Sequence, residues 1–400
     1  MRRFRLPALI FIGYFALVSC REQRDRLPKP DGKYLTGVDY FSFTDTSRKE
    51  LFDNNHDSYR EMAVKVWYPS DEKGDYTPYL ENAGFAITNF NFPETYRNLM
   101  TNSCRGVAVS KAENKYPVLI FSHGWGEHFS QNTILMEELA SRGYIVFSLG
   151  HDYESKFSFY PDGHVVSIDN SSQRFIEIMK EQQDTEALKV YNELFNADSD
   201  TGRLEIFIKT GNLMPVLLKE DPKYWAEDIE FFINKLAEIN QADPIFKSKL
   251  DLDRIGTLGM SMGGIAANEA CIKNNKVKAG VNIDGGIYGS ATDTLINTPF
   301  MFINSRRYSG YGNLFTSRCN KACYSITVRN SDHYNFTDYA LYPVRTIMMM
   351  GTIDAKIPLE IMNSVIPAFF DKYLSGKDKQ DLQEICLRYD VEYVTNQRSN

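Results

Sequence analysis

The chain has 400 residues, of which 43% are hydrophobic and 24% charged, and its formal net charge is −7. This is ordinary globular composition and enough chain for a large core, as one long α/β unit or about two to three domains. The negative balance argues against nucleic acid as a partner, because phosphate binding needs a basic surface.

Met1-Arg2-Arg3-Phe4-Arg5 is a basic n-region, and Leu6 to Ser19 is apolar and uncharged. Such a run has the length of a signal-peptide core and is short for a transmembrane helix. It ends in Leu17-Val18-Ser19-Cys20, which resembles a bacterial lipobox. Residues 1–19 are then a lipoprotein-type signal peptide, and Cys20 is the expected lipidation site. Arg21 to Asp31, with Pro28 and Pro30, opens an expected tether over 20–36. The expected location is the bacterial cell envelope, lipid-anchored at the outer membrane or a membrane facing the periplasm. Disulfides are possible there. Five further cysteines (Cys104, Cys271, Cys319, Cys323 and Cys386) are an odd number, so at least one thiol stays free. A Cys319–Cys323 pair remains open. No CxxC or HxxxH spacing occurs, so no metal site is implied.

Residues 37–400 read as the globular part. Met62 to Tyr68 alternates and is rich in β-branched residues, predicting a strand ended by Pro69. Asp71 to Asn102 carries Asn, Pro, Gly and aromatics and reads as a long excursion, its aromatics packing it down onto the core. From Pro117 the pattern becomes regular. Val118 to Phe121 predicts a buried strand, Thr133 to Arg142 a helix closed by Gly143, and Tyr144 to Leu149 a second strand. An insertion follows at about 167–244. It holds a charged helix over Arg174 to Phe195, a possible lid, and a second helix. In the second, Trp225, Ile229, Phe232, Ile233, Leu236 and Ile239 share one face. Ile255 to Leu258 predicts the third strand, Ile265 to Lys273 its helix, and Val277 to Ile283, Phe300 to Ile303 and Tyr324 to Val328 the remaining strands. Short apolar runs alternating with helices indicate an α/β fold, with a mainly parallel sheet covered on both faces.

The chemistry concentrates at Gly259-Met260-Ser261-Met262-Gly263. A strand leads in, and a helix with Gly264, Ala266 and Ala267 leads out. This is the strand–turn–helix context of a nucleophile elbow, where glycines avoid collisions in the strained turn. Alpha/beta-hydrolases order their triad as Ser, acid, His. Five histidines (His56, His123, His128, His151 and His164) precede Ser261, and His333 alone follows. His333 is therefore the base. The acids between them are Glu269, Asp284, Asp293 and Asp332. Glu269 lies on the elbow helix pointing away, and Asp332 adjoins His333 too closely to curl round to its ring. None lies between Thr294 and Ser331, which excludes the position after the Phe300 strand. Asp284, at the carboxyl end of its strand, remains, with Asp293 a weaker second choice. Two backbone N–H groups form an oxyanion hole. Met262, after the nucleophile, supplies one. Phe121-Ser122-His123-Gly124-Trp125-Gly126 follows an early strand, and Trp125 supplies the other. His123 reads as a brace for that turn.

With these segments placed, the chain resembles the plasma-type platelet-activating factor acetylhydrolases and their bacterial relatives. The matching segments are Phe121 to Gly126, Leu139 to Val146, His151-Asp152, Leu250 to Gly256, the Ser261 elbow, Ile283-Asp284-Gly285 and His333-Tyr334-Asn335-Phe336-Thr337-Asp338. The likeness runs from about Gly106 to His333 and fades toward Leu374. Trp125, and Met260 before the nucleophile, depart from the commonest pattern. The resemblance implies an alpha/beta-hydrolase that cleaves short acyl esters, such as sn-2 acetyl or oxidised phospholipids. It also implies an acid after the strand that follows the elbow helix, in agreement with Asp284. No metal or organic cofactor is implied. The alternatives are a general carboxylesterase or polyester hydrolase of dienelactone-hydrolase type, and a lipoprotein that binds a ligand on a retired hydrolase fold. The intact Ser, Asp and His order argues against retirement.

Overall fold

Eleven strands form one sheet. The computed structural model describes residues 26–55, 57–182, 189–190, 193, 199–213, 220–344, 349–377 and 380–397. The strands are β1 (Leu35–Lys49), β2 (Tyr59–Ser70), β3 (Tyr76–Pro78), β4 (Met100–Arg105), β5 (Tyr116–Ser122), β6 (Ile145–Leu149), β7 (Phe157–Phe159), β8 (Val165–Ser167), β9 (Leu250–Met260), β10 (Val277–Ile283), β11 (Phe300–Asn304), β12 (Cys323–Val328) and β13 (Val391–Thr395). The main helices are α1 (Ala83–Phe90), α2 (Thr133–Ser141), α3 (Gln173–Gln182), α4 (Asp200–Leu213), α5 (Asp221–Ala242), α6 (Met262–Lys273), α7 (Gly312–Ser317), α8 (Lys356–Leu374) and α9 (Leu382–Cys386).

The spatial order is β13-β12-β11-β10-β9-β5-β6-β2-β1-β4-β3, with β7 and β8 forming a separate hairpin. The six strands from β12 to β6 run parallel. Alternation along each strand supplies both faces of the core. Leu119 and Phe121 join the cluster that contains α2 and α8. Val118 and Ile120 join the cluster that contains Trp225, Ile229 and Phe232 of α5 and Ile265 of α6. The helix read from the Trp225 stripe thus covers the sheet. Its companion in the insertion is α3, described over Gln173–Gln182, and the rest of Arg174 to Phe195 lies largely outside the described residues.

Several expectations are corrected. Residues 26–36 are docked on the body. Leu27 is buried and its N–H donates to the Met100 carbonyl, and the Asp31 N–H donates to Glu138. An apolar side chain and backbone donors with partners hold this segment, so a tether ends no later than residue 25. The 71–102 excursion returns to the sheet, because β3 pairs with β4 and β4 with β1 at one edge. Tyr79, Phe92 and Tyr96 are buried in it, and Tyr76 is exposed. Tyr324 to Val328 is not the last strand, since β13 pairs antiparallel with β12. Its half-exposed residues lack the apolar run of a central strand. Helix α4 and strand β1 were also unanticipated, both mixed in polarity. The five described cysteines are buried free thiols, with the sulfurs of Cys319 and Cys323 in contact.

A buried ionic cluster joins α5 to β2. The Arg60 guanidinium donates to Asp228 Oδ2 at 2.7 Å and Oδ1 at 3.2 Å, to Glu50 at 3.0 Å and to the Asp152 carbonyl at 3.0 Å. Arg48 adds a 2.7 Å bond to Asp228. Burial alone would raise the Asp228 pKa, but Arg60, His151 and Arg48 outweigh it and hold the carboxyl far below the usual range. Arg60→Met should therefore leave the buried Glu50 carboxylate without its arginine and Asp228 with Arg48 and His151 only, costing about 3–5 kcal/mol in urea unfolding. The Asp228 contribution is complete above the unfolded carboxylate pKa of about 3.9 and is lost as pH falls below it. The gap between Arg60→Met and wild type should accordingly narrow in acid unfolding series.

Candidate active site

The carboxyl ends of β5, β9, β10 and β12 carry every residue singled out by the sequence except Cys20, which lies outside the described residues. Such sheet ends gather ligands because strands stop there and loops diverge.

Ser261 sits between β9 and α6 with φ 56° and ψ −120°. A non-glycine residue there is strained and is held by its surroundings. Its N–H donates to the Ile283 carbonyl at 2.8 Å, and its own carbonyl accepts the first helical N–H groups of Gly264 and Ile265. The glycines of the elbow are sterically required. A Cβ on Gly263 would lie 2.0 Å from the Ser122 carbonyl oxygen, and one on Gly259 would lie 2.2 Å from the Gly263 backbone. Met262 opens α6, where first-turn N–H groups have no intrahelical acceptor.

Asp284 directly follows Ile283, whose carbonyl holds Ser261. Its Oδ2 lies 2.7 Å from His333 Nδ1, and its Oδ1 accepts the Ser305 N–H at 2.6 Å. The carboxylate is buried, while the His333 side chain keeps 18% exposure. Such a pair fixes the ring tautomer, leaving Nε2 free to accept a proton. The other acids are engaged elsewhere. Glu269 binds Ser290 and Lys273, Asp293 is exposed beside Thr294, and Asp332 pairs with Arg306 and Arg307 while accepting the His333 N–H. Of the four acids, Asp284 is the one whose carboxylate meets the His333 ring.

The loop after β5 lies against the elbow. A Cβ on Gly124 would be 3.4 Å from Ser261 Cβ, and the Gly263 N–H donates to the His123 carbonyl at 3.1 Å. The half-buried Trp125 indole stacks on Phe175 of α3, with centroids 6.0 Å apart at 13°. Among the described residues, the Trp125 N–H has no hydrogen-bond partner. A serine at a strained elbow, a histidine held by a carboxylate and backbone donors at the start of α6 are groups of the kind that acyl transfer through an oxyanion uses.

Sequence reading missed the residues behind this loop. The Glu127 carboxylate accepts the Tyr339 hydroxyl at 2.6 Å and the Tyr334 hydroxyl at 3.2 Å, linking the loop to the segment after His333. His151 stacks on Trp225 at 3.8 Å and lies 2.8 Å from Asp228 and 3.0 Å from Ser122 Oγ. Burial pushes its pKa down to about 4 despite the neighbouring Asp228. One signal was available: Asp228 is an acid on the buried face of an otherwise apolar helix stripe.

The family model for platelet-activating factor acetylhydrolase, isoform II, matches residues 19–385. The platelet-activating factor acetylhydrolase of Bos taurus is 24% identical over 377 residues, covering 88% of this chain and 78% of the relative. That of Cavia porcellus is 26% identical over 384 residues, covering 88% and 79%. A probable 1-alkyl-2-acetylglycerophosphocholine esterase of Arthroderma benhamiae is 23% identical over 411 residues, covering 91% and 92%. Among solved structures, a ferulic acid esterase from Streptomyces cinnamoneus superposes with a TM-score of 0.66 at 19% identity, over 93% of this chain and 99% of that one. The fold is that of the alpha/beta-hydrolases, and the chain belongs to the platelet-activating factor acetylhydrolase, isoform II, family.

Proposed function

We propose that this protein is a serine ester hydrolase acting on short acyl esters of phospholipids, with acetyl esters at the sn-2 position as the leading class. The observation that carries this is the 2.7 Å Asp284–His333 pair beside the strained Ser261 elbow. The family match and the names of the relatives support the ester and the acetyl group. In the proposed mechanism Ser261 Oγ attacks the ester carbonyl while His333 takes its proton. The Trp125 and Met262 N–H groups hold the oxyanion. His333 then protonates the leaving alcohol and activates the water that clears the acyl-enzyme. Asp284 stabilises the imidazolium throughout.

Ser261→Ala should abolish fluorophosphonate labelling and lower ester turnover by roughly a million-fold. Asp284→Asn should lower kcat by about four orders of magnitude through the wrong His333 tautomer, and Asp293→Asn should change it little. The reverse ranking would move the acid to Asp293.

The Trp125–Phe175 stack supports a wall that shortens the acyl side of the pocket. Acetyl to butyryl esters should then show higher kcat/KM than esters of about twelve carbons, each methylene in reach being worth about 0.8 kcal/mol. Trp125→Ala should shift the preference toward longer chains. A long-chain preference in the wild type would favour a lipase instead.

The Cys20 anchor is part of the proposal. The six residue steps from Cys20 to the docked Arg26 span at most ~20 Å, so a lipidated Cys20 would hold the body close to the bilayer. A lone chain binds weakly, and several are expected. In detergent phase separation the wild type should enter the detergent phase. Cys20→Ser should enter the aqueous phase with unchanged activity on a soluble ester.

A further inference from the structure

We infer that His123 is a positioning residue for the oxyanion hole, acting through the orientation of the Gly124–Trp125 peptide. This rests on the proposed role of the Trp125 N–H. In a trans peptide the C=O of one residue and the N–H of the next lie in one plane and point in opposite directions. The Gly124 carbonyl is held 2.7 Å from His123 Nδ1 and also accepts the Glu127 N–H at 3.0 Å. Two donors on that oxygen turn the Trp125 N–H the other way, away from the His123 ring. A reversed peptide would break both bonds and replace a donor with a carbonyl oxygen at the hole.

The tautomer that does this is determined by its neighbours. A carbonyl only accepts, so Nδ1 carries the proton. On the other side of the ring, Nε2 faces the backbone N–H of His151 at 3.3 Å, which only donates, and Ser155 Oγ at 2.8 Å. Ser155 Oγ also lies 2.8 Å from the His151 carbonyl, but with Nδ1 protonated and the ring fully buried a second proton is disfavoured, so the ring is neutral and Nε2 is the acceptor. His151 is fixed in the same way. The Asp228 carboxylate accepts from its Nδ1, and its Nε2 accepts from the Ser122 hydroxyl. Ser122, His151 and Asp228 repeat the connectivity of a triad, yet all three are fully buried and Asp228 is tied to two arginines. They can reach no substrate, and their geometry serves the loop. The rings of His123 and Trp225 lie 5.2 Å apart, so the brace is also wedged sterically.

The test uses two amides on the full chain. The Asn side-chain N–H₂ overlays imidazole Nδ1, and that of Gln overlays Nε2. His123→Gln should lower kcat about 100-fold, in the range of a lost oxyanion donor, with KM within about three-fold. His123→Asn should recover kcat to within about ten-fold of wild type. Thermal melting of both variants shows whether each is folded. A measurement on the wild type does not depend on variant folding: long-range ¹H–¹⁵N spectra of protein labelled at histidine should show His123 protonated at Nδ1 only. Equal kcat losses in the two variants, a loss confined to KM, or protonation at Nε2 would overturn the inference. Absence of wild-type ester turnover would instead sink the hydrolase reading, while the spectra would still report the brace.

Discussion

The fully buried Asp228 carboxylate is the interaction on which the rest of this site hangs. It lies on α5, the last helix of the insertion, and meets Arg60 of β2, Arg48 of β1 and His151 after β6. A charge in that position is tolerable only because it is paired and hydrogen-bonded on every side. The cluster therefore locks the helix to the sheet in one register. Through His151 it reaches Ser122, at the root of the loop beside Ser261. Burial of Trp225 and Phe232 supplies the apolar stabilisation of the same contact, but it is non-directional and does not by itself choose a register.

From that anchor the site assembles by backbone contacts more than by side chains. Ser261 is held by the Ile283 carbonyl, Gly263 by the His123 carbonyl and Asp284 by the Ile303 carbonyl. Each bond joins loops that follow neighbouring strands. The close approaches explain why Gly259, Gly263 and Gly285 are glycines: a Cβ on Gly285 would lie 2.4 Å from the Ser261 carbonyl oxygen. Strain at Ser261 and Asp284, both at positive φ, is distributed over this lattice of bonds. The Glu127 carboxylate adds a polar strut between the loop after β5 and the segment after His333.

Around this centre the molecule carries a ring of aromatic packing. Phe85, Phe90 and Phe92 from the 71–102 segment meet Phe157, His128 and Tyr339, and Tyr96 packs edge-on against Tyr79 within the segment. The segment is thus bound to the body by its aromatics as well as by β3 and β4, in keeping with a packing role. Trp125 is different, since its half-buried indole faces α3 of the insertion.

The sequence alone determined the central strands and the turn at Ser261, and it singled out His333 and Asp284, which the structure brings together. These are properties of linear order and local pattern. Short apolar runs between turn residues specify buried strands, GxSxG between a strand and a helix specifies the turn, and one downstream histidine leaves no second base. The outer strands β1, β3, β4 and β13 were not legible, because their mixed residues carry no apolar run and gain their identity from the neighbours they pair with. The docking of residues 26–36 was hidden for the same reason, as Pro and charge read as tether until Met100 and Glu138 provide partners. Only the tertiary structure decided which groups the His123 ring meets, and that His151 and Asp228 stand behind it. Those contacts depend on groups 77 and 28 residues apart meeting in a space without water, where every proton must have an assigned acceptor.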